Sequence, residues 1–559
     1  MTQPPGAPTA ARQQAFRRHW TWWLMMAVLL LVAGIRFRLQ TMPLERDEGE
    51  YAYAGQLMLQ GIPPYELAYN MKFPGVYAAY ALIMAGFGQT PGGIHLGVLG
   101  MTTLTALMLF WLGKKMLDET AGIVAASAYV ILAASPSMLG LAGHATHFAA
   151  FFATAGLCAL WRARQSGNRL AAFASGLLFG AAILMKQHAA IIAAWSGISF
   201  ATTCLGKTEW PMGRRWPAVL VYALGMLLPL GGCGLLLWQA GVFGKFWFWT
   251  VAYASQYASV TPLASGLNRF YNVLPLITST TLLLWLLATA GAVRLWLDER
   301  LRSTRLWLAG FSVASALTVI PGFYFRSHYF LLTLPAAALL AGVAVSGIIR
   351  TQEKAGQPKA RNLFMMVYAL FLAATVFVNS HIWFVVNPGQ ATRELYGRDP
   401  FPEAQTIADF IRTHTADTAQ VAVIGSEPEI YFLAHRHSAT GYIYTYALVE
   451  NQPFALTMQD EMIRQIESNA PQFVVYTVGA QSWGSKPNPN TKILEWWKAY
   501  QTNYAPVAPA DMFGPTNALN GTSTKAGGGT PRPTHFNAPA IFQRKSGATN
   551  LVNQGGPAQ

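Results

Sequence analysis

Glu45, Asp47, Glu48 and Glu50 fall within six residues, and Lys72 closes the segment that follows them. A carboxylate can take a proton from a hydroxyl, and an ammonium can hold a phosphate. Set close together, the two could displace a group from a phosphate. Spacing alone also allows a solvated acidic loop with a positioning lysine. A second set is Arg326, His328 and Tyr329 in FYFRSHYF. Arginine presents a fork to phosphate oxygens, though a snorkelling arginine in an aromatic belt gives the same pattern. Lys186 and His188 stand between two apolar runs. They read either as a tight turn or as a cation facing a lipid phosphate. Lys245 heads an aromatic run that includes Tyr257, either an interfacial helix over a lipid-linked substrate or a plain aromatic belt. His144 and His147 have a spacing that permits a metal, but no carboxylate lies near them in sequence. His435 and His437 read as surface residues.

The elements that position these groups follow from composition. Of 559 residues, 53% are apolar and 11% charged, against about 25% charged in an average soluble domain. Such a chain cannot cover a globular surface with charge, which excludes a soluble enzyme and a disordered scaffold. A bilayer core needs about 20 apolar residues per helix. Runs that meet or approach this are 20–38, 94–113, 121–141, 148–161 with some extension, 170–186, 188–206, 217–240, 273–295, 306–322, 330–349 and 362–380. The stretch 74–88 is short and ends in QTPGG, so it reads as an interfacial helix. With the N-terminus in the cytoplasm, nineteen Lys and Arg face the cytoplasm and eight face outward from the membrane region. That asymmetry favours eleven spans and explains the net charge of +15 without nucleic acid. The first apolar run follows Arg12, Arg17 and Arg18 with no A-x-A site, and reads as a retained anchor. Cys158, Cys204 and Cys233 lie in apolar runs, which argues against disulfides and cysteine-bound metal.

The expected organisation is therefore a cytoplasmic tail (1–19), a polytopic all-α membrane domain (20–380) and an extracytoplasmic α/β domain (381–545). A disordered end (546–559) follows. The first outer loop, 39–93, carries interfacial helices. In the tail, QVAVIG and QFVVYTVG read as strands, with helical periodicity in PEAQTIADFIRTH, EPEIYFLAHR, EMIRQIES and TKILEWWKAY. The order suggests a mostly parallel sheet, with a further strand in HFNAPAIFQRK and a long loop over 505–535.

Up to residue 380 there are eleven acids. Six sit among cytoplasmic Lys and Arg, and the other five are Glu45, Asp47, Glu48, Glu50 and Glu66. None falls within a predicted span, where an ion-coupled transporter would usually need one. Chemistry is thus expected in the first outer loop.

The acid pair, the YAYAGQLMLQGIPPY run and MKFPG resemble the first periplasmic loop of GT-C glycosyltransferases. The likeness is to glycosyltransferase family 39, the protein-O-mannosyltransferase-like branch that includes aminoarabinose transferases. RSHYFLLTLPAAALLAG and the segment from PEAQTIADFIRTHT to GYIYTYAL resemble later motifs of bacterial members. The resemblance implies a hexosyl- or pentosyltransferase in the bacterial inner membrane. It would move a sugar from a polyprenyl-phosphate donor to a lipid, glycan or protein acceptor at the periplasmic face. It implies Asp47 as base with Glu48 in support, and Lys72, Arg326 and Lys186 on the carrier phosphate. Tyr53, Tyr65, Tyr257, His328 and Tyr329 are the expected substrate contacts. Relatives often carry a second acid in the next outer loop, where this chain has AGHATH. No cofactor is firmly implied, and a divalent metal, with His144 or His147 in place of that acid, stays open. Alternatives are a flippase of lipid-linked saccharides and a GT-C ligase or polymerase.

Overall fold

A computed structural model describes residues 10–206, 215–357, 359–477, 480–483, 491–508 and 539–547. Residues 1–9 of the expected tail, most of the 505–535 loop and residues 548–559 lie outside the described residues. The chain is mostly helical. Five described helices are long and apolar enough to cross a membrane: Trp20–Arg38, Pro91–Met116, Trp216–Gln239, Ser327–Lys354 and Ala360–Val378. A sixth is a pair, Leu263–Ser279 and Leu282–Leu297, bent by 107°. Residues 273–295 were expected as one straight span, and this break corrects that reading. The reason is local. Thr278 and Ser279 hydroxyls bond back to the carbonyls of Leu274 and Leu276, and Asn379 caps the freed Thr280 carbonyl at 3.1 Å.

The chain divides into two compact units. The first comprises residues 1–39, 95–232 and 261–386. Its outer surface is apolar, with Leu220, Leu306 and Phe377 exposed by 66%, 75% and 79%. Patches of this kind suit hydrocarbon rather than water. Its helices touch through small residues. A Cβ on Gly176 would stand 2.0 Å from the Tyr222 carbonyl oxygen, and one on Gly291 1.9 Å from that of Leu340. Backbones approach this closely only where no side chain intervenes. Some of the polar groups inside are matched. Arg36 donates to the carbonyls of Ala133, Gly140 and Leu141, and Ser127 bonds to the Tyr368 hydroxyl at 2.8 Å.

The second unit comprises residues 40–94, 233–260 and 387–559. It holds a five-stranded sheet in the order β2-β1-β3-β5-β4. The strands are β1 (Gln420–Ile424), β2 (His437–Ser438), β3 (Phe473–Tyr476), β4 (Tyr504–Pro506) and β5 (Ala540–Arg544). β1 is parallel to β2 and β3, while β5 is antiparallel to β3 and β4. The sheet is therefore mixed rather than mostly parallel. Helices Glu429–Ala434 and Ala455–Asn469 intervene before β2 and β3 and give the crossovers that parallel pairing requires. β5 returns against β3, and Pro506 suits the outer strand β4, because a proline cannot donate to a ladder.

Ile424, Val474, Met462, Ile466 and Trp497 form part of the core of this unit, which also takes in Tyr69, Trp249 and Tyr253. Each fully buried large side chain contributes about 1.5–3 kcal/mol. The helix Arg46–Leu59 belongs to the same unit. Glu45 caps it, accepting from the Glu48 amide while the Glu48 carboxylate accepts from the Glu45 amide. This reciprocal box starts the helix and suits its positive end. Gly49 lets the Glu429–Ala434 helix approach, since a Cβ there would stand 2.6 Å from the Glu429 backbone nitrogen.

Candidate active site

Asp47 and Glu50 lie one turn apart on the Arg46–Leu59 helix and so share a face. Lys72 arrives on the loop before the helix Gly75–Phe87. That loop is held from within by Tyr65, whose φ of 66° is left-handed. Its buried ring packs on Tyr77 and Phe246, and its hydroxyl donates to the Lys72 carbonyl at 2.7 Å. The strained backbone is the cost of turning this ring inward. Lys72 Nζ then donates to Asp47 Oδ1 at 2.7 Å and to Glu50 Oε2 at 2.9 Å. It also stands 4.6 Å from the centre of the Tyr51 ring.

The two carboxylates differ in surroundings. The Glu50 side chain is fully buried, whereas those of Asp47 and Lys72 are 20% and 24% exposed. Tyr77 donates to Glu50 Oε1 at 2.6 Å. The Tyr444 hydroxyl lies 3.0 Å from both Glu50 Oε2 and the Arg46 carbonyl. Burial alone works against the Lys72 charge, but Asp47 and Glu50 outweigh it and hold the ammonium well above its usual range. Burial pushes the Glu50 carboxyl up, and Lys72 offsets this only in part. Burial, followed by the charges of Asp47 and Glu48, likewise holds Glu45 well above a free carboxyl.

Other expected residues of this unit take different places. Glu48 is buried and belongs to the capping box. Tyr53 and Tyr65 were expected at the substrate, yet both are buried with their hydroxyls engaged by backbone. Tyr53 stacks near Tyr431 and accepts from the Ser438 amide at 2.7 Å. An inward-facing ring at a helix–sheet contact supports the fold rather than a ligand. Tyr257 is half-buried and ends a row of rings. Tyr444 and Tyr446 are 5.2 Å apart, and Tyr446 and Tyr257 6.5 Å.

The first unit gathers a separate set. Lys186 ends the helix Arg169–Met185, and its Nζ lies 4.2 Å from the centre of the Tyr329 ring. His188 meets the same ring edge-on at 4.9 Å and bonds through Nδ1 to the Thr318 carbonyl at 2.8 Å. His328 contacts Tyr329 at 4.9 Å and stacks on His144 at 4.2 Å. Arg326 lies 5.9 Å from the centre of the Tyr324 ring. His147 is turned elsewhere, with Nε2 at 3.0 Å from the Gly140 carbonyl. A carbonyl only accepts, so that nitrogen carries the proton and is not available to a metal. Five residues from three segments distant in sequence, Lys186 and His188, His328 and Tyr329, and His144, are thus brought together.

Glu50, Tyr77 and Tyr444 are the site residues that the sequence argument missed. One signal was available. Positions 47 and 50 share a helical face, while 48 is turned away by about 100°. Nothing in sequence pointed to Tyr444.

No protein-family model matches the chain. Over 97% of its length it superposes on all of the crystal structure of ArnT from Cupriavidus metallidurans bound to undecaprenyl phosphate. The TM-score is 0.56 at 14% identity. The chain has the fold of ArnT. The apo form of that protein gives the same result, with a TM-score of 0.55 at 13% identity. The chain also superposes on the archaeal oligosaccharyltransferase AglB from Archaeoglobus fulgidus in complex with an inhibitory peptide and a dolichol-phosphate. The superposition covers 89% of this chain and 74% of that one, with a TM-score of 0.53 at 11% identity. The GT-C resemblance read from the sequence is met at the level of this fold. By sequence, the chain is 29% identical over 216 residues to the undecaprenyl phosphate-alpha-4-amino-4-deoxy-L-arabinose arabinosyl transferase of Pseudomonas aeruginosa. That match covers 36% of this chain and only 38% of the curated relative.

Proposed function

We propose that the protein is a polytopic inner-membrane glycosyltransferase of about eleven transmembrane helices, with a cytoplasmic N-terminus and a C-terminal α/β domain on the periplasmic side. It moves a sugar from a polyprenyl-phosphate donor to a lipid, glycan or protein acceptor at that outer face. The observation that carries the reading is the partly exposed ion pair of Lys72 with Asp47 at 2.7 Å. The lipid carriers named with the ArnT and AglB structures, undecaprenyl phosphate and dolichol-phosphate, support the donor class.

The pair suggests how donor binding readies the site. A donor phosphate competes with Asp47 for the Lys72 ammonium. As the phosphate takes Lys72, Asp47 loses its counter-charge and becomes available as a base. The acceptor O–H proton passes to an Asp47 carboxylate oxygen as the acceptor oxygen bonds to the sugar C1. The bond from C1 to the phosphate oxygen breaks, and its electron pair stays on the leaving polyprenyl phosphate. Lys72 stabilises the charge that builds there, and Arg326 and Lys186 are proposed as further phosphate contacts. Tyr257, His328 and Tyr329 are proposed at the substrate, and Glu48, Tyr53 and Tyr65 as supports.

The test follows release of polyprenyl phosphate from a panel of polyprenyl-phosphate sugars, wild type beside Asp47→Asn. Release by wild type, with loss in the variant and donor binding retained, is the expected result. Equal release from both would remove Asp47 from the role of base. Binding with transbilayer movement but no release would instead make the protein a flippase.

A further inference from the structure

Two carboxylates hold one ammonium, and they are not equivalent. Asp47 is partly exposed, so water can replace Lys72 around it. Glu50 is fully buried, with Tyr77 on one oxygen and Tyr444 beside the other. Leaving Lys72 would expose Glu50 to no solvent and strand a carboxylate in a low-dielectric pocket. A phosphate that competes for Lys72 therefore displaces the contact with Asp47 first. We propose that Glu50 is the positioning residue of this site: braced by Tyr77 and Tyr444, it keeps the Lys72 ammonium in place while the phosphate replaces Asp47. This rests on Lys72 as the phosphate-holding cation.

The groups facing Lys72 are Asp47, Glu50 and Tyr51 on its partner helix, Tyr77 beyond Glu50, and Tyr444 and Tyr446 from the chain after β2. Among these, Asp47 and Glu50 are the acids that favour the charged lysine. If Glu50 is the permanent partner, its neutralisation must make Lys72 easier to deprotonate. Only the deprotonated amine reacts with acylating reagents.

The experiment is pulse acetylation of the full-length protein in detergent between pH 7 and 9. Modification at Lys72 is read by peptide mass spectrometry, with Lys245 as the internal reference. Wild type is compared with Glu50→Gln, which keeps the shape and hydrogen-bonding oxygen but not the charge, and with Tyr444→Phe. In Glu50→Gln, Lys72 should react about tenfold faster or more at a given pH, the equivalent of one unit in its titration. Lys245 should be unchanged, and Tyr444→Phe should show a smaller rise. With donor, Glu50→Gln should lower kcat/KM about tenfold, with a share of the loss in kcat, because Lys72 acts on the developing phosphate charge as well as on binding.

Unaltered Lys72 reactivity in Glu50→Gln overturns the proposal. If that variant fails to fold, unaltered reactivity in Tyr444→Phe overturns it equally. If labelling responds while no donor is cleaved by any protein, Glu50 still positions Lys72 and the transferase reading is what falls.

Discussion

Two ion networks begin on adjacent residues of one helix and are built differently. Arg46 turns towards Asp399 and Glu427 of the same unit. Its Nε donates to the Ser426 carbonyl at 2.6 Å, and its Nη2 lies 3.4 Å from both Asp399 and Glu427. Its guanidinium also stands 5.5 Å from the centre of the Phe401 ring. Glu427 is fully buried and accepts from the Ser426 amide at 2.7 Å and from the Ser482 hydroxyl. Asp47, one residue on, reaches Lys72 at a partly exposed position. Arginine supplies a rigid fork that suits a fixed, buried junction. Lysine supplies a compact charge on a flexible stem. The difference teaches that the first network holds the helix in place and the second can exchange a partner.

The largest effect should come from breaking the fixed network. Arg46→Met leaves Glu427 buried without its cation, at a cost of about 3–5 kcal/mol. Thermal unfolding in detergent should show a large fall in Tm. An unchanged Tm would make the two networks alike.

Breaking the exchangeable network should act on turnover instead. Lys72→Met should lower polyprenyl phosphate release about 10²- to 10³-fold, the usual loss for a charge-stabilising donor, with a Tm change smaller than that of Arg46→Met. A larger loss of Tm than of activity would reverse the comparison.

Gly49→Ala touches both networks, because it pushes the Arg46–Leu59 helix off Glu429. The new methyl would stand 2.6 Å from Glu429 atoms, a clash worth about 1–3 kcal/mol. Both Tm and turnover should fall together, and a fall in turnover alone would show that the helix shifts without loosening.

The smallest effect concerns pH. Both Glu429 carboxyl oxygens are buried without a hydrogen-bond partner among the described residues. Burial, and then the neighbouring Glu427, hold its carboxyl well above the usual range. An acid raised in the folded state favours folding while both states are protonated. That contribution is lost as pH rises, because the unfolded chain ionises first. Glu429→Gln should therefore gain stability over wild type as pH climbs from about 4.5, by on the order of 1 kcal/mol. Tm measured at pH 5 and pH 8 checks this, and an advantage that shrinks towards pH 8 would contradict the sign.

Much of this was legible before folding. Apolar runs of spanning length set the helical class, because a bilayer admits little else. The scarcity of acids up to residue 380 confined the candidate base to a short loop. The T-S-T-T run broke a span where periodicity alone continued it, since hydroxyls that bond back to carbonyls act within a single turn. The mixed sheet also escaped the sequence, because strand direction depends on where the chain returns.

The sequence by itself determined that Asp47 and Lys72 belong to one segment and that five of the eleven acids up to residue 380 fall in it. Only the tertiary structure decided which acid holds the lysine. It placed Glu48 in a capping box with Glu45, sent Arg46 to a buried junction, and brought Tyr444 from nearly 400 residues away to within 3.0 Å of Glu50. The physical reason is burial. Residue type fixes what a carboxylate can do, but the number of its oxygens left to water decides whether it stays with its cation or releases it.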